Sequence, residues 1–150
     1  MNEYEPWRLS CDGTAVPNPG RIGLGAVLVS PDGERRELSQ AGPRLGCNNE
    51  AEAHALLLAL RTALDLDVRT AVITCDSNVV VQQVAGSART AIARLAPLFE
   101  EARALMARFE RVELLLVPRR KNGEADALAR AAVGLAPKPP MPARGRHRRR

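Results

Sequence analysis

Two short apolar runs, TAVITC at 70–75 and VELLLVP at 112–118, are separated by segments with helical spacing. Both runs are too short for core helices, so they read as strands of the kind buried on both faces. Strands joined through helices return parallel to one another. Upstream the punctuation differs. Residues 7–12 read as a short strand, followed by the loop GTAVPNPGRIG, the strand LGAVLVS, the turn Pro31-Asp32-Gly33 and the alternating run ERRELSQA. The last three form an antiparallel hairpin signature.

The helices have their own start and stop signals. NNEAEAHALLLALRTAL begins with Asn48 or Asn49 as N-cap, carries acids in its first turn and ends near Asp65. Ser77 caps NVVVQQVA, which Gly86 ends; residues 90–109 read as a longer helix, irregular at Pro97. GEADALARAAVGL is the last helix. The order β-β-β-α-β-α-α-β-α predicts an α/β fold. Its five-stranded mixed sheet has three antiparallel strands, then two parallel ones, with helices on both faces.

With 150 residues and 45% hydrophobic content, one domain can bury a core without cross-links. Cys11, Cys47 and Cys75 are odd in number and lack metal-ligand spacing, so they read as reduced thiols. No apolar run reaches the roughly 18 residues of a membrane span, and MNEYEPWRLS lacks a signal-peptide pattern, so the expectation is a cytoplasmic protein, monomeric and without membrane contact. The net charge of +5 is misleading as a whole-chain number. Residues 136–150, APKPPMPARGRHRRR, hold six Lys or Arg and no acid, leaving +5 − 6 = −1 on the remainder. That proline- and arginine-rich stretch has too little to bury to offset its ordering, so the expected division is a folded domain at 1–135 and a disordered basic tail at 136–150.

Four acids, Asp12, Glu52, Asp76 and Asp126, sit in separate segments, each where a strand ends or a helix begins. Carboxylates gathered at the rim of a sheet make a site for hard divalent cations. Glu50 competes with Glu52 for the helix position, but the two lie about 160° apart, so one alone reaches the site. Glu52 shares a stripe with Leu56, Ala59, Leu60 and Ala63; Glu50 lies near His54 and Arg61 on the polar side, as an auxiliary helix-dipole acid. The glycines of Gly20-Arg21-Ile22-Gly23-Leu24-Gly25 have G-x-x-G-x-G spacing and lead into a hairpin. They therefore do not form a dinucleotide fingerprint, and no nucleotide cofactor is expected. They read as sites of close backbone approach.

The stretches DGTAVPNPGRIGLGAVL from Asp12, NNEAE from Asn48, CDSNVV from Cys75 and VPRRKNGEADALARAA from Val117 resemble, in order, the four signatures of type 1 ribonuclease H. The resemblance implies that family's fold and hydrolysis of the RNA strand of an RNA–DNA hybrid. It further implies two Mg²⁺ ions, with Mn²⁺ as a substitute, held by Asp12, Glu52, Asp76 and Asp126. By the same resemblance Gly13, Asn18, Asn49 and Asn78 contact sugar and phosphate across the minor groove, reading shape and the 2′-OH with little sequence specificity. The loop histidine of many members is absent; the chain is similar to a shorter subgroup with V-P-R-x-x-N, in which Arg119 takes the phosphate-side role and Asn122 is accessory. His54 reads as solvated, and Cys11 and Cys75 as small core residues facing away from the acids. Competing classes are a non-catalytic nucleic-acid-binding module and a nuclease of the same fold acting on DNA.

The basic protrusion of some members is also missing, which directs attention to Arg144, Arg146 and Arg148 of the tail as a substitute anchor. Deleting residues 137–150 is expected to raise KM for hybrid and flatten its salt dependence, with single-turnover kcat nearly intact. An unchanged KM at moderate salt would remove the tail from substrate binding.

Overall fold

The computed structural model describes residues 5–86 and 92–139. Its elements are β1 (Trp7–Val16), β2 (Arg21–Val29), β3 (Arg35–Ala41), α1 (Asn48–Asp65), β4 (Thr70–Cys75), α2 (Asn78–Val84), α3 (Ala96–Met106), β5 (Arg111–Leu116) and α4 (Gly123–Ala132). The sheet order is β3-β2-β1-β4-β5, with β1–β2 and β2–β3 antiparallel and β1–β4 and β4–β5 parallel. The expected mixed sheet is therefore present. Among the described residues no helix is long and apolar enough to cross a membrane.

Glycines show how the helices sit on the sheet. A Cβ on Gly13 would lie 2.2 Å from the Ala51 carbonyl of α1, and one on Gly25 would lie 2.2 Å from the Ala125 oxygen of α4. Gly25 stands opposite Asp12, the neighbour of Gly13, so the two contacts fall on opposite faces. Helix α1 packs its alanines and leucines, among them Ala51, Ala55, Leu56, Leu60 and Ala63, against Leu9, Cys11, Leu24 and Ile73. Helix α4 covers β1–β3 on the other side through Ala125 and Ala129.

Four expectations need correction. β1 does not stop at Asp12; the ladder with β2 continues to Val16↔Arg21, because glycines 23 and 25 keep pairing where the loop composition reads as a turn. The segment after Gly86 is not one helix from 90 to 109: residues 87–91 lie outside the described residues, and α3 starts at Ala96 with Pro97 in its first turn, where its missing N–H costs nothing. The two apolar strands are not buried on both faces. β4 alternates buried and half-buried, and β5 is an edge strand with Leu115 and Leu116 44% and 48% exposed, because α4 does not reach across β4 and β5. His54 is half-buried rather than solvated, and burial lowers its pKa, with Arg61 adding to the effect.

Gly25→Ala is expected to destabilise the fold by about 3 kcal/mol, since its Cβ would meet backbone, which cannot yield as a side chain does. Gly33→Ala, in open space at φ +92°, is expected to cost only about 1 kcal/mol of backbone strain. Urea midpoints of the two variants measure the difference; equal shifts would show that α4 is not held by this contact.

Candidate active site

β1 outruns its parallel neighbour. It pairs with β4 only from Trp7↔Ala71 to Ser10↔Thr74, while β4 ends at Cys75 and the chain turns at Asp76 into α2. Ser77 fixes that corner by capping α2, its hydroxyl accepting from the Val80 N–H at 3.2 Å. The notch beyond the end of β4 receives Asp12 and Asp76 together. Glu52 arrives from α1, where its Oε1 accepts from the Gly13 N–H at 3.1 Å. One oxygen from each of Asp12, Glu52 and Asp76 lies within 4.8 Å of the other two. Asp126, in the first turn of α4, lines the same cleft, as do Gly13, Asn49, Asn78 and Arg119.

Asn122 braces the notch from beneath. It is 2% exposed, and its Nδ2 donates to the Cys11 carbonyl at 2.9 Å and to Asp76 Oδ2 at 3.3 Å. The opposite amide orientation would aim an oxygen at two acceptors, so the hydrogen bonds determine it. Cys11 and Cys75 are buried in the core. Burial first, then the charge of Cys75 and of the nearby carboxylates, raises the Cys11 thiol pKa, and burial pushes Cys75 up to about 12.

One of the predicted contact residues has structural work instead. Asn18 stands apart from the acid cleft; its Oδ1 accepts from the Asn48 N–H at 3.0 Å at the start of α1. Asn48, expected only as a helix cap, accepts from the Ala15 N–H at 2.9 Å and ties β1 to α1. The residue before the helix is Cys47, not an asparagine, and Glu50 accepts from its N–H at 2.9 Å. Glu50 also pairs with Arg94 at 3.3 Å and does not line the acid cleft. Burial opposes its charge, but the Cys47 N–H and Arg94 outweigh that and hold its pKa below the ordinary value. Lys138 was missed. It lines the cleft with Nζ 4.0 Å from Asp126 Oδ1, and no local signal marks it, since its position depends on how the chain folds back after α4. Arg144, Arg146 and Arg148 lie outside the described residues.

The electrostatics are those of a site built for positive charge. Asp12 is 5% exposed; burial first, then the Glu52 charge, pushes its carboxyl up to about 10. Burial also raises Glu52, to about 7, against the pull of its hydrogen bonds to Asp12 and Gly13 and of the Arg119 cation. Carboxylates this close ionise together only at a cost that a hard cation offsets. All the donors are oxygens, and the set fits a hard divalent ion.

A family profile described as Reverse transcriptase-like matches residues 10–132. Ribonuclease HI of Halobacterium salinarum is 36% identical over 124 residues, spanning 81% of this chain and 61% of the relative. A bifunctional protein of Mycobacterium tuberculosis is 34% identical over 130 residues, 85% of this chain but 35% of the relative. This chain thus covers about a third of the mycobacterial relative's length. Among solved structures, the H. salinarum RNase H1 superposes with a TM-score of 0.81 at 34% identity, covering 86% of this chain and 98% of that one. LC11-RNase H1 in complex with an RNA/DNA hybrid gives 0.76 at 26% identity, covering 85% and 96%. The chain belongs to the ribonuclease H-like domain family. Within it, the chain resembles these two RNase H1 structures over nearly their whole length.

Raised carboxyls link folding to pH. The stability that protonated Asp12 and Glu52 retain is complete below the ordinary carboxylate range. It is lost as pH rises, until about 7 for Glu52 and about 10 for Asp12. The melting temperature of chelator-treated protein is therefore expected to fall across that window, and saturating Mg²⁺ to flatten the profile. Asp12→Asn should remove the part of the decline above pH 7. A flat chelator profile would contradict the crowding.

Proposed function

We propose that this chain is an endoribonuclease that hydrolyses the RNA strand of RNA–DNA hybrids and leaves 5′-phosphates. The observation that carries the reading is the meeting of Asp12, Glu52 and Asp76 within 4.8 Å, from a strand, a helix and a strand end. Asp126 completes the rim of the same cleft. These four carboxylates would hold two Mg²⁺ ions, or Mn²⁺ in their place. What the ions supply when bound is the positive charge that lowers the pKa of an attacking water and stabilises the departing oxygen.

The chain's own residues bind and orient. Gly13, Asn49 and Asn78 edge the cleft, where neutral amides suit sugar hydroxyls and phosphate oxygens without fixing a base sequence. Asn18 acts one step back, by holding the start of the helix that carries Asn49 and Glu52. Arg119 faces the acids as a cation for the strand's phosphate. Asn122 keeps the Asp76 carboxylate aimed into the notch, and Glu50 keeps Arg94 beside the α1 terminus. The reading is supported by the RNase H1 neighbour whose structure holds an RNA/DNA hybrid. Retention of all four acids speaks against a non-catalytic binding module, and the asparagines beside them speak against a DNA-cutting member of the fold. We assign residues 136–150 to a basic tail appended to a monomeric, cytoplasmic catalytic domain.

Cleavage of RNA–DNA hybrid, duplex RNA and duplex DNA in Mg²⁺ and then Mn²⁺ tests the assignment, with only the hybrid expected to be cut. Asp76→Asn should reduce cleavage by roughly 10²–10³-fold or more and leave hybrid binding largely in place. Equal loss of both would mean that Asp76 serves the fold rather than the reaction.

A further inference from the structure

Next to the acid cleft lies a second cavity of different sign. Arg119, Arg120 and Lys121 form one 3-10 turn between β5 and α4, and among the described residues no carboxylate pairs with any of them. Arg35, Arg61, Arg69 and Arg94 elsewhere are each matched by an acid, while scattered exposed arginines such as Arg36 and Arg111 are not, so what sets the turn apart is three such cations in succession on one cavity wall. Facing this turn, the chain folds back after α4. The Leu135 N–H donates to the Arg130 carbonyl at 2.9 Å, and Arg130 Nε donates to the Ala136 carbonyl at 2.7 Å. That docking delivers Lys138 between Pro137 and Pro139, two residues that limit the backbone freedom lost in presenting it.

The space between turn and returning chain is about 690 Å³, and Asp126 is the one acid on its wall against four cations. Arg119, Asp126 and Lys138 line both this cavity and the acid cleft, so the two adjoin. Lys138 is 48% exposed and pairs with Asp126 only loosely, at 4.0 Å, a contact that an exposed ammonium gives up at little cost. With Asp126 committed to divalent cations, all four basic side chains are left to an anionic ligand.

We propose that this cavity binds a backbone phosphate of the cleaved strand, beside the scissile one, with Lys138 and Arg120 as its grip; the inference rests on the hydrolase reading above. It differs from an anchor in the arginine run, because Lys138 is placed by contacts with α4. It also gives that run a starting point: from Pro139 to Arg144 the chain can span at most about 18 Å.

The test uses the full chain in the Asp76→Asn background and measures hybrid affinity from about 50 to 200 mM salt. Lys138→Gln with Arg120→Gln is expected to raise Kd roughly tenfold and to reduce the slope of log K against log salt by about 1 to 2, with melting temperature unchanged. Lys138→Arg should restore most of the affinity, which a purely steric or structural role would not predict. An unchanged slope in the double variant, with wild-type cleavage of hybrid intact, would overturn this inference and leave the hydrolase reading standing. Failure of the wild-type chain to cleave hybrid with either ion would overturn both. Titration with inorganic phosphate alone separates a strand phosphate from a free one: tight, saturable binding that the double variant abolishes would make the cavity a site for a small anion and overturn the strand assignment.

Discussion

The difference in length between β1 and β4 is the constraint from which the site follows. A parallel strand that stops while its neighbour continues leaves a step at the sheet's rim, with the longer strand's backbone open on one side. On most proteins such an edge would be covered or charged. Here Asp12 stands on the open stretch and Asp76 at the step, and the Asn122 amide occupies the Cys11 carbonyl that β4 no longer satisfies. The same hydrogen-bonding group that closes the sheet orients an acid. Structure and site thus draw on one set of contacts, and buried carboxyls that resist ionisation are tolerated because the sheet on which they stand is held from both faces.

The reading of function depends on that arrangement more than on the overall charge. Arg35, Arg61, Arg69 and Arg94 are paired with acids, while Arg119 and Lys138 line the cleft and, with Arg120 and Lys121, the cavity on its flank. Negative centre and positive flank suit a ligand that must both bring phosphate and accept coordinated cations.

Much of this was legible in the amino-acid order. Helix α1 could be bounded because its alanine and leucine stripe begins after two asparagines and ends at Asp65, and helical periodicity together with the N-N-x-x-E match of the family resemblance favoured Glu52 over Glu50. Ser77 was legible as a cap because a small hydroxyl follows an apolar strand directly. What escaped reading was whatever depends on a distant partner. The length of β1 is set by pairing with glycines in β2, the exposure of β5 by how far α4 reaches, and the part played by Asn18 by an amide thirty residues away. Lys138 belongs to the same class, since Arg130 places it through a carbonyl six residues along.

The glycines of β1 and β2 have one more consequence. Gly13 follows Asp12 and rests on the Ala51–Glu52 peptide of α1; Gly25 faces Asp12 across the ladder and rests on Ala125, the residue before Asp126. Each flanking helix therefore comes to backbone contact with the sheet at the peptide adjoining its own acid. These two bare positions act as gauges, setting the gap between Asp12 and the carboxylate on either side at the smallest spacing that a polypeptide allows. How closely the helices approach the sheet beside these acids is thereby decided by missing side chains, since a Cβ at either position would meet helix backbone at 2.2 Å.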